Sequence, residues 1–420
     1  MPQRPSKDDP IIIVGAGIFG LSTALHLARR GYSQVVVFDR QNYDIGLYFY
    51  QKRPSSSGMR RTKNCPTEAC HQGCKVFHNS GAISINAGDK LPPFEKATIQ
   101  AMTQLGRGHT QLVTTDPEHG TTTQRLGFNV DQFGAQARGK ATVGVLDTSG
   151  GFAVADKACR FALHKARKYG AKFVFGPLVG AFQSLVYEGK VVVGIRTKDG
   201  SVHRAKQTIV ACGSYTPVLV PELDGLCEAT AGSVVVFRIP KTSPLFTSLA
   251  PENFPAWMYN IRSGEDGGFY GFPMDSQGLF KIGYRGTKYT NPQVQPNGRD
   301  RSVPVTRYTK DEKITEIPAK AMDTIVSFVG EYLPGIFHQD QVPQQPGLMV
   351  ATRGSGHAFK YLPNIGNWVV DILEGVDTDR PAIKAWRWRT PGNVKPANVL
   401  MEGKGSKALQ NVVLTDQING

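Results

Sequence analysis

Three glycines near the N-terminus are spaced to bring a backbone turn close to a phosphate group. The stretch Gly15-Ala-Gly17-Ile-Phe-Gly20 has G-x-G-x-x-G spacing. In this motif the first glycine permits a tight turn, the second lets the backbone approach a pyrophosphate, and the third allows a helix to pack closely on a strand. Asp39 follows Gly20 by 19 residues, where a carboxylate can accept a hydrogen bond from a ribose hydroxyl. These residues predict a dinucleotide site and do not choose between FAD and NAD.

The elements needed to position these glycines are present around them. Ile11–Val14 is a continuous β-branched run, typical of a strand buried on both faces of a parallel sheet. Apolar residues then recur at helical spacing until Gly31, and a second strand, Val35–Phe38, leads into Asp39. This βαβ pattern favours the dinucleotide site over a glycine-rich turn without a ligand. Its position at the start of a long chain favours FAD.

Composition excludes several classes of protein. Hydrophobic residues make up 40% of the 420 residues and charged residues 20%, which argues against a disordered chain or a coiled coil. Lys and Arg number 49 against 34 Asp and Glu, so the net charge is 49 − 34 = +15. The densest basic cluster, Lys52–Lys63, has no interleaved aromatic residues and no recognisable helix that would contact nucleic-acid bases. We therefore expect no nucleic-acid partner, and attraction of anionic small molecules is the better interpretation.

The cysteines are too few for a disulfide scaffold. Six cysteines in 420 residues indicate a reducing compartment. Cys65, Cys70, Cys74 and His78 are close in sequence and could bind zinc, but their spacing matches none of the common zinc motifs. Free loop thiols are the favoured interpretation, and no metal site is predicted.

The remaining pattern alternates strands and helices and then changes to short strands. The spacing predicts a helix over Asp156–Tyr169 and strands over Lys172–Phe175, Val191–Thr197 and from Gln207 to the turn at Gly213. Residues 220–335 show short apolar strands interrupted by aromatics, which indicates a mixed or antiparallel sheet roofing a pocket. The strands are expected at 234–239, 256–259, 268–272 and 279–284, with helices at 318–328 and about 363–375 and a further strand at 347–351.

The segment Gly354-Ser-Gly-His-Ala-Phe-Lys360, together with Gly15–Gly20 and Trp386-Arg-Trp-Arg389, carries a family resemblance. It resembles the FAD-dependent amine oxidases of the D-amino-acid-oxidase superfamily. Within them it is similar to fungal fructosyl amino acid oxidases (amadoriases) and saccharopine or pipecolate oxidases, relatives of monomeric sarcosine oxidase. The likeness covers residues 10–45, 77–335 and 347–390. It implies oxidation of a C–N bond to an imine, which water hydrolyses, and reduction of O2 to H2O2 through FAD.

The resemblance also implies site residues. Lys281 matches the lysine that promotes reaction of the flavin with oxygen, although a surface lysine is the alternative. Tyr270 matches an active-site tyrosine, with a core aromatic nearly as plausible. Lys360 matches the lysine that binds the substrate carboxylate, with a flavin or surface contact as the alternative. Position 285, usually histidine in the sarcosine oxidase relatives, is arginine, and Arg285 is a candidate for substrate binding.

FAD contacts are expected along the two nucleotide-binding segments and the C-terminal turn. The expected residues are Gly15, Gly17, Ile18, Phe19, Gly20, Asp39, Arg40, Val179, Gly213, Gly356, His357, Phe359 and Lys360. Two segments depart from the family: 46–75 lacks the flavin-wrapping pattern, and 333–346 lacks the cysteine that would link covalently to the flavin. We therefore expect noncovalent FAD.

The expected fold is α/β (α+β overall), with a Rossmann-like FAD-binding domain interleaved with a mixed or antiparallel-sheet substrate domain. The FAD-binding domain comprises 8–90, 145–225 and 345–395. The substrate domain comprises 91–144 and 226–344, and 396–420 forms a tail.

The predicted function is an FAD-dependent oxidase of a secondary amine or N-substituted amino acid. The alternatives are an FAD-dependent oxidoreductase of fungal secondary metabolism acting on another substrate, and a catalytically impaired flavin-binding relative. We expect a monomer with no membrane partner. A cytoplasmic location is expected because the C-terminus, Ile418-Asn-Gly420, is no peroxisomal signal.

Overall fold

The computed structural model describes residues 4–42, 76–224, 227–262, 268–296, 298–306, 317–336, 362–377, 379–381 and 412–413. Its strands are β1 Ile11–Val14, β2 Val35–Asp39, β3 Phe77–His78, β4 Ala82–Ala87, β5 Gln111–Val113, β6 Thr142–Asp147, β7 Phe152–Ala153, β8 Lys172–Phe175, β9 Phe182–Glu188, β10 Val191–Thr197, β11 Val202–Arg204, β12 Gln207–Val210, β13 Ala231–Arg238, β14 Ala256–Tyr259, β15 Phe269–Gly271, β16 Leu279–Tyr289, β17 Pro292–Val294 and β18 Asp300–Ser302. Its helices are α1 Ile18–Arg29, α2 Pro93–Gln104, α3 Pro117–Arg125, α4 Ala155–Lys168, α5 Thr216–Leu219, α6 Leu245–Ser248, α7 Ala319–Tyr332 and α8 Ile365–Glu374.

A parallel sheet of order β12-β1-β2-β8 forms the first unit. Alternate residues of β1 face opposite layers, because side chains of a strand alternate. Ile11 and Ile13 pack against apolar residues of α1, α4 and α8. Ile12 and Val14 pack against Ile195 of β10, which belongs to the antiparallel sheet β11-β10-β9. Both faces of β1 are therefore buried, as its unbroken β-branched sequence predicts.

The second unit is a mixed sheet of order β13-β16-β15-β14-β4-β6-β5. One face is a hydrophobic core in which Trp257, Phe269 and Phe280 are buried. Helix α7 covers this face, where Phe328 stacks on Phe269 with ring centroids 4.2 Å apart. The opposite face carries Lys281 of β16 and Ser84 of β4 together with apolar residues, among them Val234 and Val236 of β13.

The predicted fold class is confirmed, and several predicted elements have their expected bounds. β1, β8, β10 and β14 begin and end where the sequence predicts. β16 continues five residues past the expected end at Tyr284, to Tyr289, and α7 continues to Tyr332 rather than Phe328. The predictions for 347–356 lie outside the described residues.

Sheet membership shifts the predicted division into domains. Residues 8–90 were assigned to the cofactor domain, whereas β4 at Ala82–Ala87 pairs with β14 and β6 near the centre of the seven-stranded sheet. Local sequence does not reveal this, because β4 pairs in parallel with a strand far along the chain. We therefore place the boundary before β4 and assign β6, through Asp147, to the second unit, and this division remains a proposal.

The described residues contain neither a membrane-spanning helix nor a cluster of metal ligands. No helix in the described ranges is long and apolar enough to cross a membrane. In the same part of the chain, no three His, Cys, Asp or Glu side chains are grouped to hold a metal ion. His78 stacks on Phe152, with ring centroids 4.8 Å apart, while Cys65, Cys70 and Cys74 lie outside the described residues.

Candidate cofactor and substrate site

The glycine turn after β1 has the geometry of a nucleotide cradle. Gly15 has φ +102°, and a Cβ there would lie 2.5 Å from the Ala211 carbonyl oxygen. A Cβ on Gly20 would collide with the Gly15 carbonyl oxygen, so helix and strand pack closely only because position 20 is glycine. A Cβ on Gly17, in contrast, would meet no atom within 4 Å. The backbone at Gly17 therefore faces open space that a ligand can enter.

The N-terminus of α1 is suited to an anion. The helix begins at Ile18, directly after Gly17, and no side chain caps its N-terminus. Its first turn contains no acidic residue. Because the first N–H groups of a helix have no intrahelical partner, such an end attracts phosphate oxygens. Phe19 lies in this first turn, where the sequence predicts a cofactor contact.

Asp39 lies at the end of β2, directly beside the glycine turn. Its Oδ2 accepts a hydrogen bond from the Ala16 N–H at 2.7 Å, and its Oδ1 accepts one from the Gln41 N–H at 2.8 Å. Burial raises the pKa of the Asp39 carboxyl, and the two backbone hydrogen bonds and the Arg40 charge oppose this rise. The carboxylate thus fixes the turn and retains oxygen lone pairs for a ribose hydroxyl.

Two further segments meet the same sheet edge, because all four strands are parallel and end there. Gly213 follows β12, is exposed, and has open space where a Cβ would point. Val179, 47% exposed, lies in the turn after β8, whose Gly176 N–H donates to the Asp39 carbonyl oxygen at 3.0 Å. The guanidinium of Arg40 lies 4.4 Å from the ring centroid of Tyr215, just past Gly213. The residues present therefore fit a dinucleotide such as FAD at this edge.

The open face of the seven-stranded sheet brings together three predicted site residues. Tyr270 of β15 pairs with Gly283 of β16, and Lys281 and Arg285 lie two positions to either side of Gly283. Side chains two apart on a strand share a face, so all three residues lie on the face opposite α7. The ring of Tyr270 lies across Gly283, where a Cβ would come within 2.7 Å of the tyrosine oxygen. Met258, paired with Tyr270 on the same face, is 38% exposed although its strand is central.

The electrostatics of this face are set by burial. Desolvation lowers the pKa of Lys281 and raises the pKa of Tyr270, while the nearby charge of Arg285 partly opposes the rise for Tyr270. Lys288, three residues after Arg285, has its pKa lowered to about 8 by burial and, secondly, by the charge of Arg285. Tyr270 therefore remains a hydroxyl donor at neutral pH.

Aromatic rings connect this face to the β3–β7 ribbon. The Lys281 ammonium lies 5.8 Å from the Phe272 ring centroid, and Phe272 lies 6.2 Å from Tyr270, centroid to centroid. Phe272 also lies 6.4 Å from Phe152 of β7, on which His78 stacks. These rings surround one side of Lys281 and supply it no anion.

The other end of the open face holds a buried carboxylate. Ser84 of β4 pairs with Met258, and its hydroxyl donates to Glu95 Oε1 at 3.0 Å. Arg262 donates to the same oxygen at 3.2 Å. Glu95 Oε2 is buried and has no partner among the described residues. This cluster and Lys288 were missed by the sequence analysis. A signal for Lys288 exists, because Lys281, Arg285 and Lys288 are three cations within one strand of eleven residues.

Several predicted residues cannot be placed. Gly356, His357, Phe359 and Lys360 lie outside the described residues. The proposed roles of the described candidates remain predictions, although the structure groups them into two places. The nucleotide edge holds Gly15, Gly17, Ile18, Phe19, Gly20, Asp39, Arg40, Val179 and Gly213, and the open sheet face holds Tyr270, Lys281 and Arg285.

Comparison with known proteins adds a family and a fold. The chain matches the model of the DAO family, described as FAD dependent oxidoreductase, over residues 10–46 and 71–372. It is 23% identical to L-saccharopine oxidase of Schizosaccharomyces pombe over 424 residues, covering 90% of this chain and 93% of that protein. It is 26% identical to N-methyl-L-tryptophan oxidase of Salmonella enteritidis over 251 residues, covering 56% of this chain and 59% of that protein. The match therefore spans less than two thirds of the second relative.

A solved structure shares the fold over nearly the whole chain. A modified fructosyl peptide oxidase from Aspergillus nidulans superposes with a TM-score of 0.72 at 22% identity. The superposition covers 97% of this chain and 99% of that protein. At this identity the likeness establishes a common fold.

Proposed function

The chain belongs to the FAD dependent oxidoreductase family, and from this premise we propose that it is an FAD-dependent oxidase of a secondary amine or N-substituted amino acid. Membership confirms the resemblance seen in the sequence and FAD as the cofactor. The relative that matches across most of its length is named for oxidation of L-saccharopine. The proposed reaction removes two electrons and a proton from the carbon beside the amine nitrogen, and the nitrogen loses its proton, giving an imine that water hydrolyses.

The observation that carries this proposal is Lys281, an ammonium on the open face with no anionic partner among the described residues. When bound, FAD accepts the two electrons and passes them to O2, giving H2O2. A fixed positive charge stabilises the negative charge that oxygen acquires as it is reduced. Lys281 belongs to β16, and its ammonium lies 5.8 Å from the Phe272 ring centroid, so the strand and the ring place the charge on this face.

Tyr270 supports the same function by a different route. Its pKa is raised by burial, so the hydroxyl remains protonated and can donate a hydrogen bond. It lies between Lys281 and Arg285 on the open face. We assign it to orienting the substrate beside the flavin, a role in which geometry matters more than acidity.

Release of peroxide tests this function. Saccharopine, pipecolate, sarcosine and fructosyl-valine are assayed side by side with the purified yellow protein. Peroxide from at least one of them, in proportion to the substrate consumed, is the expected result. A yellow protein that yields peroxide with none of these amines would favour another FAD-dependent oxidoreductase or an impaired relative.

We also propose that FAD is bound noncovalently. Cys212 lies beside the cradle, and its thiol donates to the Val14 carbonyl oxygen at 3.2 Å. Burial raises the pKa of this thiol to about 12, so little of the reactive thiolate is present at neutral pH. Acid precipitation of the holoprotein should leave a colourless pellet and a yellow supernatant. A yellow pellet would contradict noncovalent binding. A monomeric state and a cytoplasmic location remain predictions from the sequence.

A further inference from the structure

A buried carboxylate on the open sheet face is paired with a cation that is largely exposed. The Glu95 side chain of α2 is 3% exposed, whereas the side chain of Arg262, which donates to its Oε1 at 3.2 Å, is 47% exposed. The Ser84 hydroxyl donates to the same oxygen at 3.0 Å. Glu95 Oε2 is also buried and has no hydrogen-bond partner among the described residues. A polar atom buried in this way keeps its desolvation cost until a donor reaches it.

The contact between Glu95 and Arg262 is weak beside a buried ion pair elsewhere in the chain. Arg301, whose side chain is 7% exposed, contacts both oxygens of Asp224 at 2.6 and 2.7 Å. The bond from Arg262 joins one nitrogen to one oxygen at a longer distance. Its guanidinium carbon also lies 3.4 Å from the ring centroid of Phe94, a contact that remains when the ion pair opens. Arg262 is therefore a partner that a ligand cation can replace.

The carboxylate lies at one end of a row of side chains that crosses the open face. Tyr270 pairs with Met258, and Met258 pairs with Ser84, whose hydroxyl contacts the carboxylate. Tyr270 and Ser84 are therefore two strand spacings, about 10 Å, apart. Met258 between them is 38% exposed, so the surface along the row is apolar and accessible. An alkyl chain of that length can connect the carboxylate to the end of the face that holds Lys281.

A primary ammonium is the ligand group that fits the Glu95 carboxylate. Its three N–H donors can satisfy an oxygen that lacks a partner, and its charge replaces the charge of the displaced guanidinium. A hydroxyl supplies a donor without the charge, so it does not compensate for the loss of Arg262. A carboxylate supplies no donor and is repelled by Glu95.

We propose that Glu95 is a cation site in the substrate pocket, which Arg262 of the same chain occupies until a ligand ammonium replaces it. The substrate then carries a primary ammonium at the end remote from the amine that is oxidised. This inference rests on the proposed amine oxidase function, which assigns the reacting amine to the end of the face near Lys281. Because the ligand must displace Arg262, its measured affinity is lower than its intrinsic affinity for the carboxylate.

Calorimetric titration of the holoprotein without oxygen tests the proposal with two probes of equal chain length, pentylamine and pentan-1-ol. We expect the wild-type protein to bind pentylamine about tenfold or more tightly. Glu95→Gln keeps the size of the side chain and an acceptor for Ser84. It should weaken pentylamine binding about 10- to 100-fold, the range for a charge-assisted hydrogen bond, and change pentan-1-ol binding only a few-fold.

Arg262→Gln should have the opposite effect. Removal of the competing guanidinium should tighten pentylamine binding about two- to fivefold, the range for an exposed ion pair. An arginine that served only to hold α2 on the sheet would give no such gain. The two variants therefore separate a ligand site from a structural ion pair.

Each variant has a matched control. Glu118→Gln alters an exposed glutamate in the first turn of α3, as Glu95 lies in the first turn of α2. Arg238→Gln removes a positive charge from an exposed position at the end of β13, in the same sheet. Both control proteins should bind pentylamine as the wild-type protein does.

Equal affinities for pentylamine and pentan-1-ol in the wild-type protein would overturn the proposal. So would a Glu95→Gln protein that keeps the preference for pentylamine, and this comparison decides alone if Arg262→Gln does not fold. An Arg262→Gln protein that binds pentylamine no more tightly than Arg238→Gln would show that Arg262 does not occupy a ligand site.

Flavin content and peroxide release are measured on the same samples. A protein that holds FAD and oxidises a secondary amine, but does not prefer pentylamine over pentan-1-ol, fails only the inference about the cation site. A protein that binds no FAD fails the proposed function, and its pentylamine titration still reports on Glu95.

Discussion

Lys281 has an aromatic neighbour, Phe272, and no anionic partner among the described residues. Replacement by methionine keeps the length of the side chain and removes the ammonium. We expect Lys281→Met to slow the reaction of reduced flavin with oxygen about 100- to 1,000-fold, the range for loss of a preorganised charge in an active site. Flavin reduction by substrate should change only a few-fold. Stopped-flow absorbance, with the two half-reactions separated by excluding oxygen, measures both rates.

The matched control is Lys190→Met, at an exposed position in the turn between β9 and β10. It should leave both half-reactions at wild-type rates. Equal slowing of reduction and reoxidation by Lys281→Met would contradict the role assigned to the ammonium.

Lys288 should destabilise the unliganded protein in a pH-dependent manner. Its pKa is about 8 in the folded state against an ordinary value of 10.5, so below pH 8 the folded protein holds a charge that burial disfavours. As pH rises from about 8 to 10.5, the folded protein releases the proton before the unfolded chain does, and the penalty disappears. We expect Lys288→Met to raise the Tm at about pH 7 and to raise it less at about pH 9.5.

Scanning calorimetry at both pH values measures this difference. Lys190→Met again serves as the exposed lysine control and should show a small, pH-independent change. A Lys288→Met protein less stable than wild type at neutral pH, or a gain that does not shrink with pH, would show that the buried charge carries no such penalty.

At the scale of elements, two glycines in the turn between β1 and α1 allow the effect on FAD binding to be measured apart from the effect on folding. Gly17 has φ −78°, which alanine also adopts, and its Cβ would meet nothing within 4 Å. We expect Gly17→Ala to fold with a free energy of unfolding within about 0.5 kcal/mol of wild type in the apoprotein, yet to bind FAD about tenfold or more weakly, because the added methyl occupies cofactor space.

Gly20→Ala is the comparison within the same turn, because its Cβ would collide with the Gly15 carbonyl oxygen. It should destabilise the apoprotein by about 1–3 kcal/mol, as overpacking does. Fluorescence titration of apoprotein with FAD and denaturant unfolding measure the two effects. Normal FAD affinity in Gly17→Ala would argue that the cofactor does not approach this backbone.

Strands β15 and β16 position Tyr270 by leaving room for its ring at Gly283. A Cβ at position 283 would overlap the ring, so we expect Gly283→Ala to destabilise the protein by about 1–3 kcal/mol. In a Tyr270→Ala background the same change should cost close to nothing, since the obstructing ring is gone. Denaturant unfolding of the four proteins measures the coupling.

Gly120→Ala on α3 provides the control, because a Cβ there meets no atom within 4 Å. It should be neutral or slightly stabilising in both backgrounds. An equal cost of Gly283→Ala with and without the tyrosine ring would mean that the pairing of β15 and β16 does not fix Tyr270.

Sequence predicts elements well where the local pattern is unambiguous. The unbroken run Ile11–Val14 has the predicted bounds, because a buried parallel strand leaves a continuous apolar signal. The position of β4 was not predicted, since its neighbours β14 and β6 are chosen by pairing over long sequence separations. In the site too, local sequence identifies residues, while long-range pairing decides how they are arranged. Lys281 and Tyr270 are identifiable by resemblance, whereas the register that sets Tyr270 over Gly283 exists only in the assembled sheet.

At the scale of the whole molecule, contacts connect the nucleotide edge to residues beyond the mixed sheet. Tyr215, on which Arg40 stacks, donates its hydroxyl to the Pro304 carbonyl oxygen at 3.1 Å. Arg301 of β18 is paired with Asp224, which follows α5. These contacts hold the segment after β18 against the segment after β12. The proposed oxidation needs both regions, because we assign FAD to the nucleotide edge, and the amine and the lysine that promotes reaction with oxygen to the open sheet face.

Anaerobic mixing followed by oxygen tests this account most directly. The purified holoprotein is mixed with saccharopine without oxygen, and flavin absorbance is followed. We predict bleaching of the visible flavin band, recovery of the band on admission of oxygen, and one H2O2 for each flavin reoxidised. A protein that takes up no FAD, or a yellow protein that neither saccharopine nor any other secondary amine bleaches, would contradict the account.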